Sequence, residues 1–269
     1  MRKSLIIILF ALSFAAQGQY SELGFYGGGT NFIGDVGYSG INIPKGWVAG
    51  INYRYQFNYH YSIRISGSYG LVAADDAEST WPSRQERNLS FRSNLWEGAL
   101  ILEINFLEYM TGSKKRKHSP YIFAGIGLFG FNPQGQYTDG KWYDLQPLST
   151  EGQGTNLNSK GSYGLSGLSL PMGIGYRASI GRNASIAIEM GFRTTSTDYL
   201  DDVSEKYVNT AELAKIKGDI AAYFADRSLS ATDKTGYARG NNLTNDWYVF
   251  TGIHLYFALT AKNERCSGF

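Results

Sequence analysis

Charged residues recur inside segments of the chain whose apolar residues alternate with polar ones. Because successive side chains of a strand point to opposite faces of a sheet, each charge lies opposite the apolar residues of its own segment. In a small closed barrel the charges would meet in the lumen, where burial requires opposite charges to pair. We predict an ion-paired interior; a narrow polar conduit and a carboxylate pair for acid–base catalysis are alternatives, and no spacing favours catalysis. The predicted network is Arg54, Arg64, Glu97, Glu103, Arg177, Glu189 and Arg193.

Glycines and histidines give no cofactor site. The run from Gly125 to Gly130 matches the GxGxxG pattern, but it lies within a strand-like segment, whereas a dinucleotide site requires the pattern to open a helix. Strand curvature and packing explain these glycines better. His60, His118 and His254 fall in separate segments without a cysteine partner, so we predict no metal site and no cofactor.

Two further chemistries stay open. A hydrolase that trims lipid would need His254 beside a serine and a carboxylate, and nothing in the sequence favours that arrangement. Acidic residues in predicted loops could bind Ca²⁺ weakly, although solvated loop charge is the preferred interpretation. We expect a protein that is not an enzyme. The acidic loop residues are Asp75, Asp76, Glu78, Asp198, Asp201 and Asp202.

The elements that carry the charged residues are typical of strands that cross a membrane. The segment 61–71, YSIRISGSYGL, alternates apolar and polar residues, interrupted only by Gly67. A sandwich would alternate similarly, but segment length, aromatic residues at the strand ends and arginines on the second face favour a transmembrane barrel. The mean hydropathy of −0.26 fits, because half of each barrel strand faces inward. The eight predicted strands are 22–29, 45–58, 61–71, 91–106, 120–131, 168–180, 184–194 and 247–259.

The alternation also predicts which side chains face lipid. In the fifth strand, 120–131, both alternating sets of residues are apolar, so the sequence does not show which set faces lipid. In the eighth strand the predicted lipid-facing residues are Val249, Ile253, Leu255, Phe257 and Leu259.

The connections between the predicted strands alternate in length. Outer-membrane barrels have short periplasmic turns at one end and long external loops at the other. Nothing in a lipocalin-like or sandwich fold requires short and long connections to lie at opposite ends. We therefore predict an all-β fold class, an eight-stranded antiparallel transmembrane β-barrel in the outer membrane, with membrane lipids around it. The shorter connections are 58–60, 107–119 and 181–183, and the long ones are 30–44, 72–90, 132–167 and 195–246.

The first residues have the pattern of a secretory signal. Arg2 and Lys3 precede an apolar run that is too short to span a bilayer as a helix, and small residues follow it at the expected cleavage site. We predict a signal peptide at 1–18 and one barrel domain at 19–269. Without Arg2 and Lys3 the 25 basic residues become 23, equal to the 23 acidic ones, so charge gives no reason to expect nucleic acid as a partner. The single Cys266 forbids an internal disulfide.

Two connecting segments depart from the simple pattern. The basic run Lys114, Lys115, Arg116 and Lys117 lies in a turn that we place on the periplasmic side. It is either a solvated turn or a contact for a partner or for anionic headgroups. The segment 203–226 has apolar residues at helical spacing, which predicts a helix or helical pair broken near Gly218 at the outer end of the barrel.

A series of fragments in one order resembles a known family. These are ELGFYGGGTNFIGD, NLWEGALILEINF, SPYIFAGIGLFGFNP, LSLPMGIGYR, EMGFRTTSTDYLDDVS and DRS. Together they resemble the PorG-type, DUF6089-like outer-membrane barrels of the Bacteroidetes type IX secretion system. The resemblance implies a small OmpA/OmpW-like barrel that holds a periplasmic ring of PorK- and PorN-type proteins, and it transfers no catalytic residue. Cys266 and the residues after Leu259 match nothing in that pattern.

The resemblance favours a non-enzymatic component of type IX secretion. Its role would be to anchor or organise the periplasmic ring at the outer membrane, with the periplasmic turns as the contact surface. The alternative is a general surface barrel, namely an adhesin, a passive channel or an envelope-stabilising protein whose long loops carry the function.

Overall fold

The computed structural model describes residues 20–38, 40 and 43–259. The predicted signal peptide and Cys266 lie outside them. Among the described residues, eight of nine strands form one closed antiparallel barrel, because β4 pairs with both β3 and β5 and β1 pairs with β9. The predicted fold class is confirmed. The strands are β1 Tyr20–Ile33, β2 Gly46–Gln56, β3 Tyr61–Asp75, β4 Ser90–Asn105, β5 His118–Gln136, β6 Trp142–Asp144, β7 Ser166–Ser179, β8 Ala184–Thr195 and β9 Trp247–Ala258.

The wall follows the sequence alternation. In β3, Arg64 is buried in the lumen, whereas Ile65 on the opposite face is 58% exposed. In β5, whose register the sequence left open, Ile126 faces outward and Phe123 and Phe129 are buried inside. The outer surface is therefore a continuous apolar band, and the polar residues of the strands turn inward.

One predicted lipid-facing residue is not exposed. Val249 is fully buried near the loop end of β9, between its cross-strand partners Asn31 and Phe192. Val249 lies at the end of β9 that follows the loop 196–246, outside the exposed band that begins at Ile253. The prediction for Val249 was wrong, whereas Ile253, Leu255, Phe257 and Leu259 are exposed as expected.

The two ends of the barrel differ as the loop lengths predict. The turn end carries the connections 57–60, 106–117 and 180–183, and the loop end carries 34–45, 76–89, 137–165 and 196–246. In the turn 57–60, the side-chain oxygen of Asn58 accepts hydrogen bonds from the backbone N–H groups of His60 and Tyr61, both at 2.9 Å. Such Asx contacts fix short turns.

The lumen contains two layers. Aromatic and aliphatic side chains fill its loop half and continue into the loops; Phe32, Phe91, Phe131, Tyr248 and Phe250 belong to this core. The charged residues of β1 to β4, β7 and β8 occupy the rest, together with a smaller aromatic cluster that includes Tyr121, Phe123 and Tyr256. β6 pairs only with the outer end of β5, so this hairpin projects beyond the wall and was not predicted.

Three α-helices lie in the described loops, α1 Pro82–Arg87, α2 Thr210–Lys217 and α3 Asp219–Ala225, together with short 3-10 helices at Asp76–Glu78 and Gln146–Leu148. The predicted helical pair is confirmed, and the break falls at Gly218, whose φ of 90° is rare for residues with a Cβ atom. Phe224 of α3 is buried against Tyr137 and Tyr143 of the projecting hairpin. The pair is therefore packed onto the loop layer. None of the helices in the described part of the chain has the length and hydropathy needed to cross a bilayer.

Candidate functional site

The charged lumen is organised around Glu103 of β4. Its carboxylate is 2.5 Å from Nη2 of Arg177, 3.0 Å from Nε of Arg64 and 3.7 Å from Nη1 of Arg54. All four side chains are at most 1% exposed. Ser62 also donates to Glu103 at 3.0 Å. Strands β2, β3 and β7 thus bring three guanidinium groups across the lumen to one carboxylate of β4.

A second carboxylate extends the network across the lumen. Oε2 of Glu189 lies 2.8 Å from Nη1 of Arg64 and accepts a hydrogen bond from the Tyr121 hydroxyl at 2.9 Å. Arg64 therefore bridges Glu103 and Glu189. His254 is 3.7 Å from Glu189 through Nε2, and its Nδ1 is 3.0 Å from Nδ2 of Asn52. The imidazole also stacks on Tyr26, so it is part of the packed interior.

Glu97 forms a third group with residues of the loop half. It accepts hydrogen bonds from the hydroxyls of Tyr248 at 2.5 Å and Ser169 at 3.1 Å. Nε of Arg193 lies 3.6 Å away, and its guanidinium carbon is 4.2 Å from the Phe250 ring centroid. The structure therefore brings all seven predicted lumen charges into the barrel interior.

Sequence reasoning missed Glu22. This residue of β1 is buried and forms an ion pair with Arg54, and the Thr111 hydroxyl donates to it at 2.5 Å. With Glu22 the described network contains four arginines and four glutamates, which balances its charge. The signal was present in the sequence, since apolar Leu23 and Phe25 share one face of the first strand and Glu22 therefore lies on the other.

The turn 106–117 closes the lower mouth of the lumen. Tyr109 is fully buried, its carbonyl accepts from the Gln56 side chain at 2.6 Å, and its hydroxyl is 2.9 Å from that of Thr111. The guanidinium groups of Arg54 and Arg177 lie 5.6 and 5.7 Å from the Tyr109 ring centroid. The charged layer is bounded by Tyr109 below and by the aromatic core above, which favours a filled lumen over a conduit.

The basic run lies on the outer side of this turn. Lys114, Lys115 and Lys117 are exposed. Arg116 is only partly exposed, because it pairs with Glu108 at 2.5 Å and lies 4.2 Å from the Tyr59 ring centroid. The turn therefore exposes three lysine side chains to solvent, while Arg116 packs within the turn.

The loop end is an ordered layer rather than a set of solvated loops. Asp76 and Arg87 form a bidentate pair at 2.8 and 2.9 Å, and Arg87 also donates to the carbonyls of Asp35 and Arg239, both at 2.6 Å. Glu151 pairs with Arg239 at 3.0 Å. These contacts join all four loops, because the residues come from each of them.

The preferred interpretation of the acidic loop residues as solvated charge was wrong for three of them. Asp76, Asp201 and Asp202 are buried. Both oxygens of Asp201 accept backbone N–H groups, from Val36 and from Val203, each at 3.0 Å. Where the loops cross, these carboxylates thus accept hydrogen bonds from backbone N–H groups in place of backbone carbonyls. In the described ranges, no group of three or more His, Cys, Asp or Glu residues is arranged to hold a metal ion.

Burial changes the protonation of this layer. Desolvation raises the pKa of Asp198 from 3.8 to about 7, with further contributions from nearby carboxylates such as Asp35. Desolvation also raises the pKa of Asp202 to about 6, although Arg239 opposes the shift. The pKa values of Asp201 and Asp246 are raised by burial and by their acidic neighbours.

Replacing Glu103→Gln should destabilise the barrel. Arg54 would keep Glu22 and Arg64 would keep Glu189, but Arg177 would lose its carboxylate. An uncompensated buried charge costs about 3–5 kcal/mol, and urea titration of the chain folded into lipid vesicles measures the free energy of unfolding. Adding Arg177→Met should recover part of the loss. Glu108→Gln, at an exposed carboxylate, is the control, and an E103Q variant as stable as this control would contradict the network.

The loop layer should lose stability as pH rises. The unfolded loop releases the Asp198 proton near pH 3.8, whereas the folded loop retains it to about 7, so stabilisation by the bound proton fades across this window. Hydrogen exchange of residues 196–246, corrected for intrinsic rates, should be slower at about pH 5 than at about pH 8. Asp198→Asn should reduce this difference, with Asp202 supplying part of the remainder, whereas Asp139→Asn, at an exposed loop aspartate, should leave it unchanged. Equal protection of the unmodified protein at both pH values would refute the effect.

The side chains on the outer surface of the barrel indicate that it lies in a membrane. The band of exposed apolar side chains, the inward polar residues and the sorting of short turns and long loops are those of an outer-membrane β-barrel. The predicted location in the cell outer membrane is confirmed.

Several solved structures are similar to this chain at low identity. Ail of Yersinia pestis, in complex with the heparin analogue sucrose octasulfate, has 11% identity and a TM-score of 0.41, over 90% of this chain and 100% of Ail. Neisserial surface protein A has 9% identity and a TM-score of 0.41, over 88% and 96%. The N-terminal barrel of Pseudomonas aeruginosa OprF has 12% identity and a TM-score of 0.37, over 90% and 100%. Similarities this low do not extend to function.

Sequence comparison gives the family. No curated protein matches the chain. The model of a domain of unknown function, DUF6089, matches residues 2–268, which is almost the full length. The chain is a member of the DUF6089 family.

Proposed function

We propose that this protein is a non-enzymatic outer-membrane component of the type IX secretion system that anchors the periplasmic ring. The barrel fixes the protein in the membrane, and the turn end presents the contact surface to PorK- and PorN-type ring proteins. The support for the pathway is the resemblance of the ordered sequence fragments to PorG-type barrels. The support for the mechanism is the construction of the 106–117 turn.

The observation that carries the mechanism is the anchoring of this turn. Tyr109 and Thr111 are buried in the lower lumen, and the Gly112 N–H donates to the Ser179 hydroxyl at 2.9 Å, which ties the turn to β7. The exposed lysines therefore stand on a segment that is fixed to the barrel at several points. Little conformational entropy would be lost when a partner binds such a preorganised surface.

Charge gives the turn its selectivity. Lys114, Lys115 and Lys117 lie together on the surface, while Arg116 neutralises Glu108 within the same turn. The surface is therefore positive and complements an acidic patch on the ring. Exposed Phe106 and Leu107 lie at the start of the same connection, 106–117, and add apolar area to the proposed contact.

The alternative function, a general surface barrel, is favoured by a different observation. The loop layer has its own buried side chains and ion pairs, including the pairs of Asp76 with Arg87 and of Glu151 with Arg239. An ordered layer of this kind at the external end can serve adhesion or envelope stability. In that case the periplasmic turn would tolerate substitution and the loops would not.

Replacing Lys114, Lys115 and Lys117 together by Ser should reduce recovery of ring proteins with the tagged barrel from crosslinked cells. Three charge contacts at a rim are each expected to contribute up to about 1 kcal/mol, so recovery should fall several-fold or more. Export of proteins that use the pathway should fall in parallel.

The matched control replaces Lys141, Lys206 and Lys215, which are exposed on the loop side, by Ser. It removes the same charge from the opposite end and should leave recovery unchanged. Unchanged recovery with the turn variant would reject the turn as the contact. Normal export after deletion of the gene would reject the role in this pathway.

A further inference from the structure

A cavity of about 780 Å³ opens in the loop layer, at the opposite end of the barrel from the basic turn. One wall is α1 with the preceding Trp81, and the other is the segment 230–241. Arg87 and Arg239 are buried at its lining. Its volume is in the range of small-molecule sites, and neither the lumen network nor the proposed ring contact uses it.

Exposed aromatic rings line the cavity. Trp81 is 54% exposed and Tyr237 is 70% exposed, on opposite walls. The guanidinium carbon of Arg84 lies 5.1 Å from the Trp81 ring centroid, which restrains the indole. Aromatic rings with one polar atom favour ligands that combine an apolar face with hydrogen-bonding groups.

The walls are held in position by polar contacts. Glu86 of α1 accepts from Nζ of Lys234 at 2.6 Å and from the Ser230 hydroxyl at 2.5 Å. Asp35 accepts from the backbone N–H of Asn241 at 2.6 Å. Hydrogen bonds from side chains thus connect the two walls of the cavity, and these connected walls carry the aromatic rings.

The charges at the cavity do not favour a phosphate or other strongly anionic ligand. Three of its cations already have carboxylate partners: Arg87 pairs with Asp76, Arg239 with Glu151 and Lys234 with Glu86. Asp35 and Asp233 add negative charge to the lining. The lining therefore suits an uncharged ligand that donates and accepts hydrogen bonds. One buried donor, Nε of Arg239, has no hydrogen-bond acceptor among the residues that the structure describes.

We propose that this cavity is a saccharide-binding site on the external face of the barrel. The C–H face of a sugar ring stacks on Trp81 or Tyr237, and the sugar hydroxyls pair with the polar lining. The volume accommodates one or two sugar units. This inference goes beyond the proposed ring anchoring, which concerns the other end of the molecule and does not depend on the cavity.

Saturation-transfer NMR on the full-length barrel, in a detergent without a sugar headgroup, tests the proposal. The probes are glucose, galactose, mannose, rhamnose, N-acetylglucosamine and glucuronic acid at millimolar concentration. We expect transfer to at least one neutral sugar, and a roughly tenfold weaker affinity in Trp81→Ala and in Tyr237→Ala, because each removes a stacking surface.

The control is Trp142→Ala. Trp142 is also a partly exposed tryptophan at the loop end, stacked 3.8 Å from the Arg92 guanidinium carbon, but it does not line the cavity. It should bind as the unmodified protein does.

Tyr237→Ala keeps the test decisive if Trp81→Ala fails to fold, since the Tyr237 ring is mostly exposed. Absence of transfer to all six sugars, binding of glucuronic acid alone, or equal affinity in the folded cavity variants and the control would overturn the proposal.

Discussion

Pairing of opposite charges inside a closed wall is the constraint on which the rest of this structure depends. Strand alternation places one side chain in the lumen for each apolar side chain that faces lipid, and many of these inward side chains are charged. The ionised groups that enter must be neutralised there, because charge is costly to bury alone. Four arginines and four glutamates satisfy this requirement, with Glu103 facing three guanidinium groups. The filled interior in turn gives the turn 106–117 a surface on which to pack.

The fold and most of the lumen network were predictable, because both depend on a period of two residues. The side chains of a strand alternate strictly between its two faces. Identifying the apolar, lipid-facing residues of β3 or β4 therefore also places Arg64 and Glu103 in the lumen. The same rule applied to β1 would have included Glu22. It failed for Val249, which lies beside the loop layer at the start of β9, where parity alone does not decide exposure.

The ends of the barrel were less predictable because their contacts join residues distant in sequence. Nothing near Tyr109 indicates that its ring lies beneath Arg54 and Arg177. Likewise, Asp76 and Asp201 have the composition of solvated loops, and only the crossing of several loops buries them against backbone N–H groups. The barrel thus separates two surfaces, a rigid basic turn at one end and an acidic, ion-paired loop layer with a cavity at the other.

The orientation of these two ends in the membrane is tested most directly by labelling single cysteines in intact cells. In a Cys266→Ser background, Tyr237→Cys lies on the loop layer and Lys115→Cys on the basic turn, and both positions are exposed. A membrane-impermeant maleimide should label Tyr237→Cys in intact cells, and Lys115→Cys only after the outer membrane is permeabilised. Equal labelling of both in intact cells, or labelling of Lys115→Cys alone, would contradict a barrel that presents its loops outside and its basic turn to the periplasm.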